Sequence, residues 1–337
     1  MLQIGPHAID PPVFSAPMAG FTNYAYRELL RRFGGVGLIA TEMISARGAF
    51  HAYKEGRDEL GRLWGVKEEP RPIAVQIWDN EPTTMVEVSR RLVGEYGVSV
   101  VDINFGCPAR DVSEKAESGS WLLDHPARIG QIVEQLVEAC GPVPVTAKIR
   151  LGRTAETITA IEVAKTVEEA GGAAITVHGR TAAQMYSGEA DWEAIASIKP
   201  HLKRIPLIGN GDIRSPEQAV RALREYDVDG IMIGRAGLGR PWLFSQIAAA
   251  LRGEDIPPEP GIDRQREILF GHYHMLLEQM DEHSATVLMR KYACSYAQGK
   301  PNCRKFRGLI SRVADRNEFE RIVEEHYPRE SDEPDLC

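Results

Sequence analysis

The chain of 337 residues carries 43% hydrophobic and 26% charged side chains, with 31 glycines and 21 prolines spread along it, which argues against a disordered, collagen-like or low-complexity protein. Its 40 basic and 48 acidic residues leave a net charge of −8, so it is not coated in basic surface for nucleic acid. No apolar run reaches the roughly 18 residues of a membrane span, and MLQIGPHAID has neither the basic start nor the apolar stretch of a signal peptide. No membrane partner and a cytoplasmic location are expected.

In chain order, eight short runs rich in β-branched residues read as strands: 13–18, 37–43, 72–78, 99–105, 143–149, 173–178, 206–210 and 230–234. Helical segments alternate with them, among them NYAYRELLRRF, TTMVEVSRRLVGEY, HPARIGQIVEQLVEA and SPEQAVRALREY, with apolar residues three and four apart. Strand then helix, eight times over, predicts an α/β fold of the (β/α)8 TIM-barrel type across residues 1–253. A doubly wound sheet is the competing architecture, but the first strand ends in Ala16-Pro17-Met18-Ala19-Gly20 rather than a phosphate-binding glycine turn. A Pro-rich stretch follows Gly253 and reads as a linker. Beyond it, residues 262–328 carry only helical periodicity and predict a small helical second domain. Residues 329–337 are polar and acidic and read as a frayed end.

The five cysteines, at 107, 140, 294, 303 and 337, are odd in number and lack CxxC spacing, which speaks against a disulfide framework or a structural metal site. Charge is unevenly spread: between Arg290 and Arg316 stand eight basic residues, including Lys291, Arg304, Lys305 and Arg307, against the single acid Asp315. By itself this run reads as a solvated helical face.

In a barrel, functional side chains gather where strands end. Gln76, Asn104, Cys107, Lys148, His178, Arg180, Asn210, Asp212 and Arg235 all stand at or just past predicted strand ends. IGNGDI and MIGRAG place Gly211 and Gly234 where backbone amides can approach an anion, with Arg235 adding charge, although glycine turns are often only turns. Cys107, in a Gly-Cys-Pro loop, is suited to act as an acid or an activated nucleophile, or is an inert buried thiol. Lys148 points toward the barrel mouth, where it needs either an anion such as a flavin edge or a salt bridge to Glu42 or Asp102. Arg150 is expected to face the other way.

Taken together, APMAGFTNYAYR (16–27), TEM (41–43), QIWDNEP (76–82), VDINFGCP (101–108), TAKIRLG (146–152), VHGRTAAQMYSGEADW (177–192), GNGDI (209–213), DGIMIGRAGLGRPWLF (229–244) and, more loosely, MRKYACSYAQGKP (289–301) resemble the tRNA-dihydrouridine synthases, most of all their bacterial B-type branch. The resemblance runs in order from Ala16 to about Pro301. It implies a flavoprotein oxidoreductase that reduces the C5=C6 bond of uridine in tRNA, with FMN as cofactor and NADPH as reductant; separately, a monomer is expected. FMN would contact Pro17, Met18, Ala19, Gln76, Lys148, His178, Asn210, Gly211, Asp212, Gly234 and Arg235. Cys107 matches the proton donor, and Asn104 a residue near the uracil. Arg180 and the helical-domain residues Arg290, Lys291, Arg304, Lys305 and Arg307 would contact the tRNA. Asn23 stands where the family commonly has Asp, and Tyr292 where it commonly has His; no glycine occupies 117 or 118, where one is usual. Two other readings remain: a dehydrogenase of the same barrel type acting on a free pyrimidine, and an FMN-containing RNA-binding protein without turnover.

Overall fold

The computed structural model describes residues 1–56 and 61–327, so Cys337, the acidic end and the last residue of the expected helical domain lie outside the described residues. The chain opens with an antiparallel hairpin, β1 (Leu2–Ile4) and β2 (His7–Ile9). Then come β3 (Val13–Ser15), β4 (Ile39–Ala40), β5 (Ile44–Ser45), β6 (Ile73–Trp78), β7 (Val100–Asn104), β8 (Val145–Arg150), β9 (Ala174–His178), β10 (Leu207–Asn210) and β11 (Gly230–Ile233). These pair in parallel in the order β3-β11-β10-β9-β8-β7-β6-β4, and a parallel bridge between Phe14 and Leu38 brings the two ends of the sheet together. β4 and β5 both pair with β6 and are two pieces of one barrel position, so the second predicted strand is present but broken after Ala40. All eight predicted strand positions are thus occupied, and the barrel architecture is as expected.

Helices α1 (Tyr24–Phe33), α2 (Ala46–Lys54), α3 (Pro82–Gly94), α4 (Arg110–Ser113), α5 (Pro126–Cys140), α6 (Ala160–Glu169), α7 (Trp192–Ala196), α8 (Pro216–Glu225) and α9 (Leu243–Arg252) lie between and after the strands. Local chemistry starts several of them: Asn23, Ser45, Asp191 and Ser215 each cap a helix by accepting a backbone N–H, and proline begins α3, α5 and α8. α9 ends at Gly253 in the left-handed conformation that glycine tolerates. After a stretch without regular structure come α10 (Ile262–Leu277), α11 (Glu282–Tyr296), α12 (Cys303–Ile310) and α13 (Arg316–His326).

Alternation along the strands sorts side chains into two shells. Val75, Ile77, Val101, Ile103, Ala147, Ile149, Ile175 and Val177 point outward and pack beneath the helices in one large buried cluster. Inside, Phe14, Leu38, Ala40, Ala74, Val100, Ala174, Ile208 and Met232 fill the lower barrel, where Ile4 and Ile9 of the hairpin join them. The hairpin escaped sequence reading because three-residue strands are too short to show a period. Along β6 to β10 the next inward positions are polar, so the upper barrel is the one place where the interior stops being hydrocarbon. The helices α10 to α13 share a continuous apolar cluster with α1 and α9, including Tyr26, Phe244, Leu269, Met289 and Phe306.

Candidate active site

The polar layer is organised as a chain of hydrogen bonds with one direction. The Asp102 carboxylate accepts from Thr146 Oγ1 at 2.7 Å and from Gln76 Nε2 at 2.6 Å. Gln76 Oε1 in turn accepts from Asn104 Nδ2 at 2.8 Å. Asn104 Oδ1 then accepts the backbone N–H groups of Gly106 at 3.0 Å and Cys107 at 2.8 Å. A second proton of Asn104 Nδ2 points to Met43 Sδ at 3.4 Å, so every hydrogen-bonding capacity of this amide is used within the protein. Burial raises the Asp102 carboxyl above its ordinary range, against the pull of Thr146, Gln76 and Lys148.

Cys107 sits three residues beyond β7. Burial pushes its thiol up, opposed by the Ala109 amide and by Arg150 and Lys148, which leaves it a thiol rather than a thiolate at neutral pH. Its carbonyl accepts the Ser120 N–H at 3.0 Å. That contact requires Gly119, at φ 53°, because a Cβ there would lie 2.7 Å from the Cys107 oxygen. Glu117 is also left-handed, at φ 47°, at one of the two positions where the sequence lacks the usual glycine.

Across the barrel, Lys148 Nζ donates to Asn210 Oδ1 at 3.0 Å, and Asn210 Nδ2 donates to the Met232 carbonyl at 2.8 Å. The salt bridge to Asp102 or Glu42, the alternative partner for Lys148, does not form: Asp102 is engaged with Gln76 and Thr146, and Glu42 accepts the Gly20 N–H at 2.6 Å. Burial, with Arg150 adding repulsion, lowers the Lys148 ammonium to about 8. His178 falls to about 2, through burial first and then through Lys148, Arg150, Arg180 and Arg235, so its imidazole is neutral. Arg150 corrects the sequence reading. Residues two apart on a strand share a face, so it faces the mouth with Lys148 and donates to the carbonyls of Thr181 and Met185, both at 2.8 Å.

Arg180 is 1% exposed and ties two loops together, donating to the carbonyls of Ser187 at 3.0 Å and Gly188 at 2.6 Å and to Asp212 Oδ2 at 2.6 Å. Its Nη1 is buried without a partner, so the expected contact of Arg180 with the tRNA is not available to a side chain sealed under these loops. Asp212 also accepts the Ala190 N–H at 2.8 Å; burial opposes its ionisation, but these bonds hold its carboxyl below the ordinary range. Gly211 has φ 137°, and a Cβ there would come within 2.4 Å of Ala190 Cβ. Gly234 differs: a Cβ there would meet Ala16 Cβ at 3.5 Å and Met18 Sδ at 3.7 Å, ordinary van der Waals distances, so this backbone packs against the first loop without a clash. Pro17 and Met18 are half-buried there and Ala19 is exposed. The exposed Arg235 lies 4.2 Å from the ring centre of Tyr186, itself 57% exposed, with Arg150 on the same ring at 5.7 Å.

Among the helical residues singled out in the sequence, Arg290 is directed inward onto the Val313 carbonyl, and Arg307 donates to the Cys294 carbonyl at 3.1 Å while remaining exposed. Arg304 and Lys305 are exposed on α12 without an ion pair among the described residues. Lys291 is exposed at the rim, its Nζ 3.7 Å from where a Cβ on Gly20 would stand. The two departures at 23 and 292 touch: Asn23 Nδ2 donates to the Tyr292 hydroxyl at 3.1 Å. Sequence reasoning did not single out Asp102 as an anchor, Thr146, or Arg150 and Tyr186 as members of the mouth. For Tyr186 a signal existed, since it lies within the Gln-x-Tyr-x-Gly motif.

The family model described as dihydrouridine synthase (Dus) matches residues 14–332. This chain belongs to that family. A tRNA-dihydrouridine synthase B of Pseudomonas aeruginosa is 38% identical over 316 residues, 94% of this chain and 92% of that protein. A probable tRNA-dihydrouridine synthase of Rickettsia bellii is 36% identical over 94% of both chains. Among solved structures, a variant of NCR from Zymomonas mobilis aligns with TM-score 0.51 and 15% identity over 78% of this chain and 93% of that one, a likeness of fold alone. Histamine dehydrogenase from Rhizobium sp. 4-9 aligns with TM-score 0.54 and 16% identity over 81% of this chain, which spans 50% of that longer protein. As a member of the family the chain has tRNA-dihydrouridine synthase activity and is an oxidoreductase. No helix among the described residues is long and apolar enough to cross a membrane.

Proposed function

We propose that this dihydrouridine synthase works with FMN seated at the barrel mouth and NADPH as reductant, with Cys107 as proton donor to uridine and the C-terminal helices as the tRNA-binding unit. The residues fit the cofactor on three counts. The Gly234 turn carries no side chain to hinder a phosphate at its backbone amides, Arg235 and the 210–212 loop flank it, and Arg180 Nη1 is buried without a partner. Lys148 supplies a cation for the pyrimidine edge, with Gln76 and His178 nearby to orient a ring and Pro17, Met18 and Ala19 bounding the first loop.

When bound, FMN supplies the hydride that uracil accepts at carbon 6, the β-position of an enone. Carbon 5 must then gain a proton. Cys107 suits that task because burial keeps its proton on sulfur while Lys148 and Arg150 stabilise the thiolate left behind. The fully engaged Asn104 is best read as the holder of the Cys107 loop, acting on uracil through the position of the thiol. The target nucleotide has to leave its stack to lie flat in such a mouth. Phosphate contacts from Lys291, Arg304, Lys305 and Arg307 would anchor the tRNA, with Arg290 supporting them from within the helices. This basic face favours a tRNA substrate over a free pyrimidine, which has no use for it.

The protonated, hydrogen-bond-seated Cys107 on a chain matched to the family from residue 14 to 332 is the observation that carries this reading. Cys107→Ala protein should take up FMN and oxidise NADPH as the parent does. Its uridine reduction in single turnover should slow by about 10²-fold or more, as for a lost general acid. Wild-type tRNA reduction by the variant would overturn the assignment of Cys107.

A further inference from the structure

Helix α11 touches both loops that meet beside Gly234. On the first loop, the Tyr292 hydroxyl donates to the Phe21 carbonyl and accepts from Asn23 Nδ2 at 3.1 Å, while the Phe21 ring meets the Tyr292 ring edge-on at 5.5 Å. That loop is a tight turn closed on Met18: the Phe21 and Thr22 N–H groups both donate to the Met18 carbonyl at 3.0 Å, and Met18 N–H donates to Thr22 Oγ1 at 3.0 Å. A shift of the Phe21 peptide therefore moves Met18. On the last barrel loop, Gly239 has φ 74°, and a Cβ there would fall 2.4 Å from the backbone of Ser295 and Tyr296, so this loop is seated directly on α11. The two loops in turn meet where Gly234 faces Met18, whose Sδ lies 3.7 Å from where a Cβ on Gly234 would stand. Tyr292 is fully buried, so its hydroxyl has no water to bond with and its single proton is committed to Phe21.

We infer that Tyr292 is a positioning residue for the cofactor site. From a helix outside the barrel it holds the Phe21 carbonyl, and through it Met18, in the place that faces Gly234. The C-terminal helices are then part of what shapes the cofactor site and not only an RNA-binding appendage. The inference rests on the reading that the loops at 17–19 and 234–235 hold FMN.

The test uses the full chain stripped of FMN, with Tyr292→Phe and, as a control, Tyr273→Phe. The control also removes a buried hydroxyl from these helices, one bonded to Thr286 at 2.5 Å, but touches neither loop. Titrating FMN back by its fluorescence, Tyr292→Phe should raise the dissociation constant at least about fivefold, as when the binding-ready loop falls to about a fifth of the population, and Tyr273→Phe should not. Amide hydrogen exchange on the FMN-free protein should show faster exchange at Phe21 and Thr22 in the first variant alone. If Tyr292→Phe is too unstable to isolate, Asn23→Asp keeps the α1 cap and gives the Tyr292 proton a second acceptor, and should weaken FMN binding in the same direction. Equal FMN affinity and equal exchange in the Tyr292 and Tyr273 variants overturn the inference. Should the parent protein bind no FMN, the cofactor reading fails, and the exchange at Phe21 and Thr22 alone then decides whether Tyr292 holds the loop.

Discussion

Replacing Asp102 tests whether the hydrogen-bond chain that ends at Cys107 is anchored where its geometry says. In Asp102→Asn one side-chain oxygen remains to accept from Gln76 Nε2, and the Thr146 hydroxyl can rotate to accept from the new amide, so Gln76 and Thr146 each keep a hydrogen bond to residue 102. Asp102→Leu instead leaves the Gln76 amide and the Thr146 hydroxyl as two buried donors without acceptors, at about 1 to 3 kcal/mol each, or about 2 to 6 kcal/mol together. Burying the leucine side chain returns up to about 2 kcal/mol. The net loss therefore centres near 2 kcal/mol, a large part of the roughly 5 to 15 kcal/mol that holds a domain folded. Urea denaturation of FMN-free protein, followed by tryptophan fluorescence and by circular dichroism, measures it where the two probes coincide. The Asn variant should lie within about 1 kcal/mol of the parent and retain uridine reduction, since Gln76 and Asn104 keep their orientation. A Leu variant as stable and as active as the Asn variant would refute the anchoring role.

Lys148→Met should make the empty protein more heat-stable at pH 7 while weakening FMN binding, because the ammonium is held there against burial. The sign follows from its folded pKa of about 8, below the ordinary value of about 10.4: the variant's advantage should be full below about pH 8 and shrink to nothing as pH rises to about 10.4, which denaturation across that range will show. At Glu117, φ 47° predicts that Glu117→Gly is neutral to stabilising by up to about 1 kcal/mol and that Glu117→Val costs about 1 to 2 kcal/mol; thermal unfolding of both variants checks this, and equal melting points would contradict it. Reversing Arg304 and Lys305 to Glu should weaken tRNA binding and reduce its salt slope by about 0.7 to 0.9 for each lost contact, with FMN content unchanged. Titrations at two salt concentrations distinguish this from a merely solvated helix face, which predicts equal slopes.

Much of the barrel was legible before the structure because buried parallel strands are short continuous apolar runs, and the helices between them keep a 3.6-residue period that only one buried face requires. The caps at Asn23, Ser45, Asp191 and Ser215 are equally local. So is the placement of Gln76, Asn104, Lys148, His178 and Asn210 at strand ends, since the fold puts strand ends at the mouth. What the sequence could not contain is which polar group meets which. Gln76 meets Asp102 across 26 residues, Lys148 meets Asn210 across 62, and Tyr292 meets Phe21 across 271. Each side chain had several chemically acceptable partners, as the unformed Lys148 salt bridge illustrates. Barrel closure decided among them, because hydrogen bonds are directional and short-ranged and a buried donor must take the acceptor that packing brings within about 3 Å.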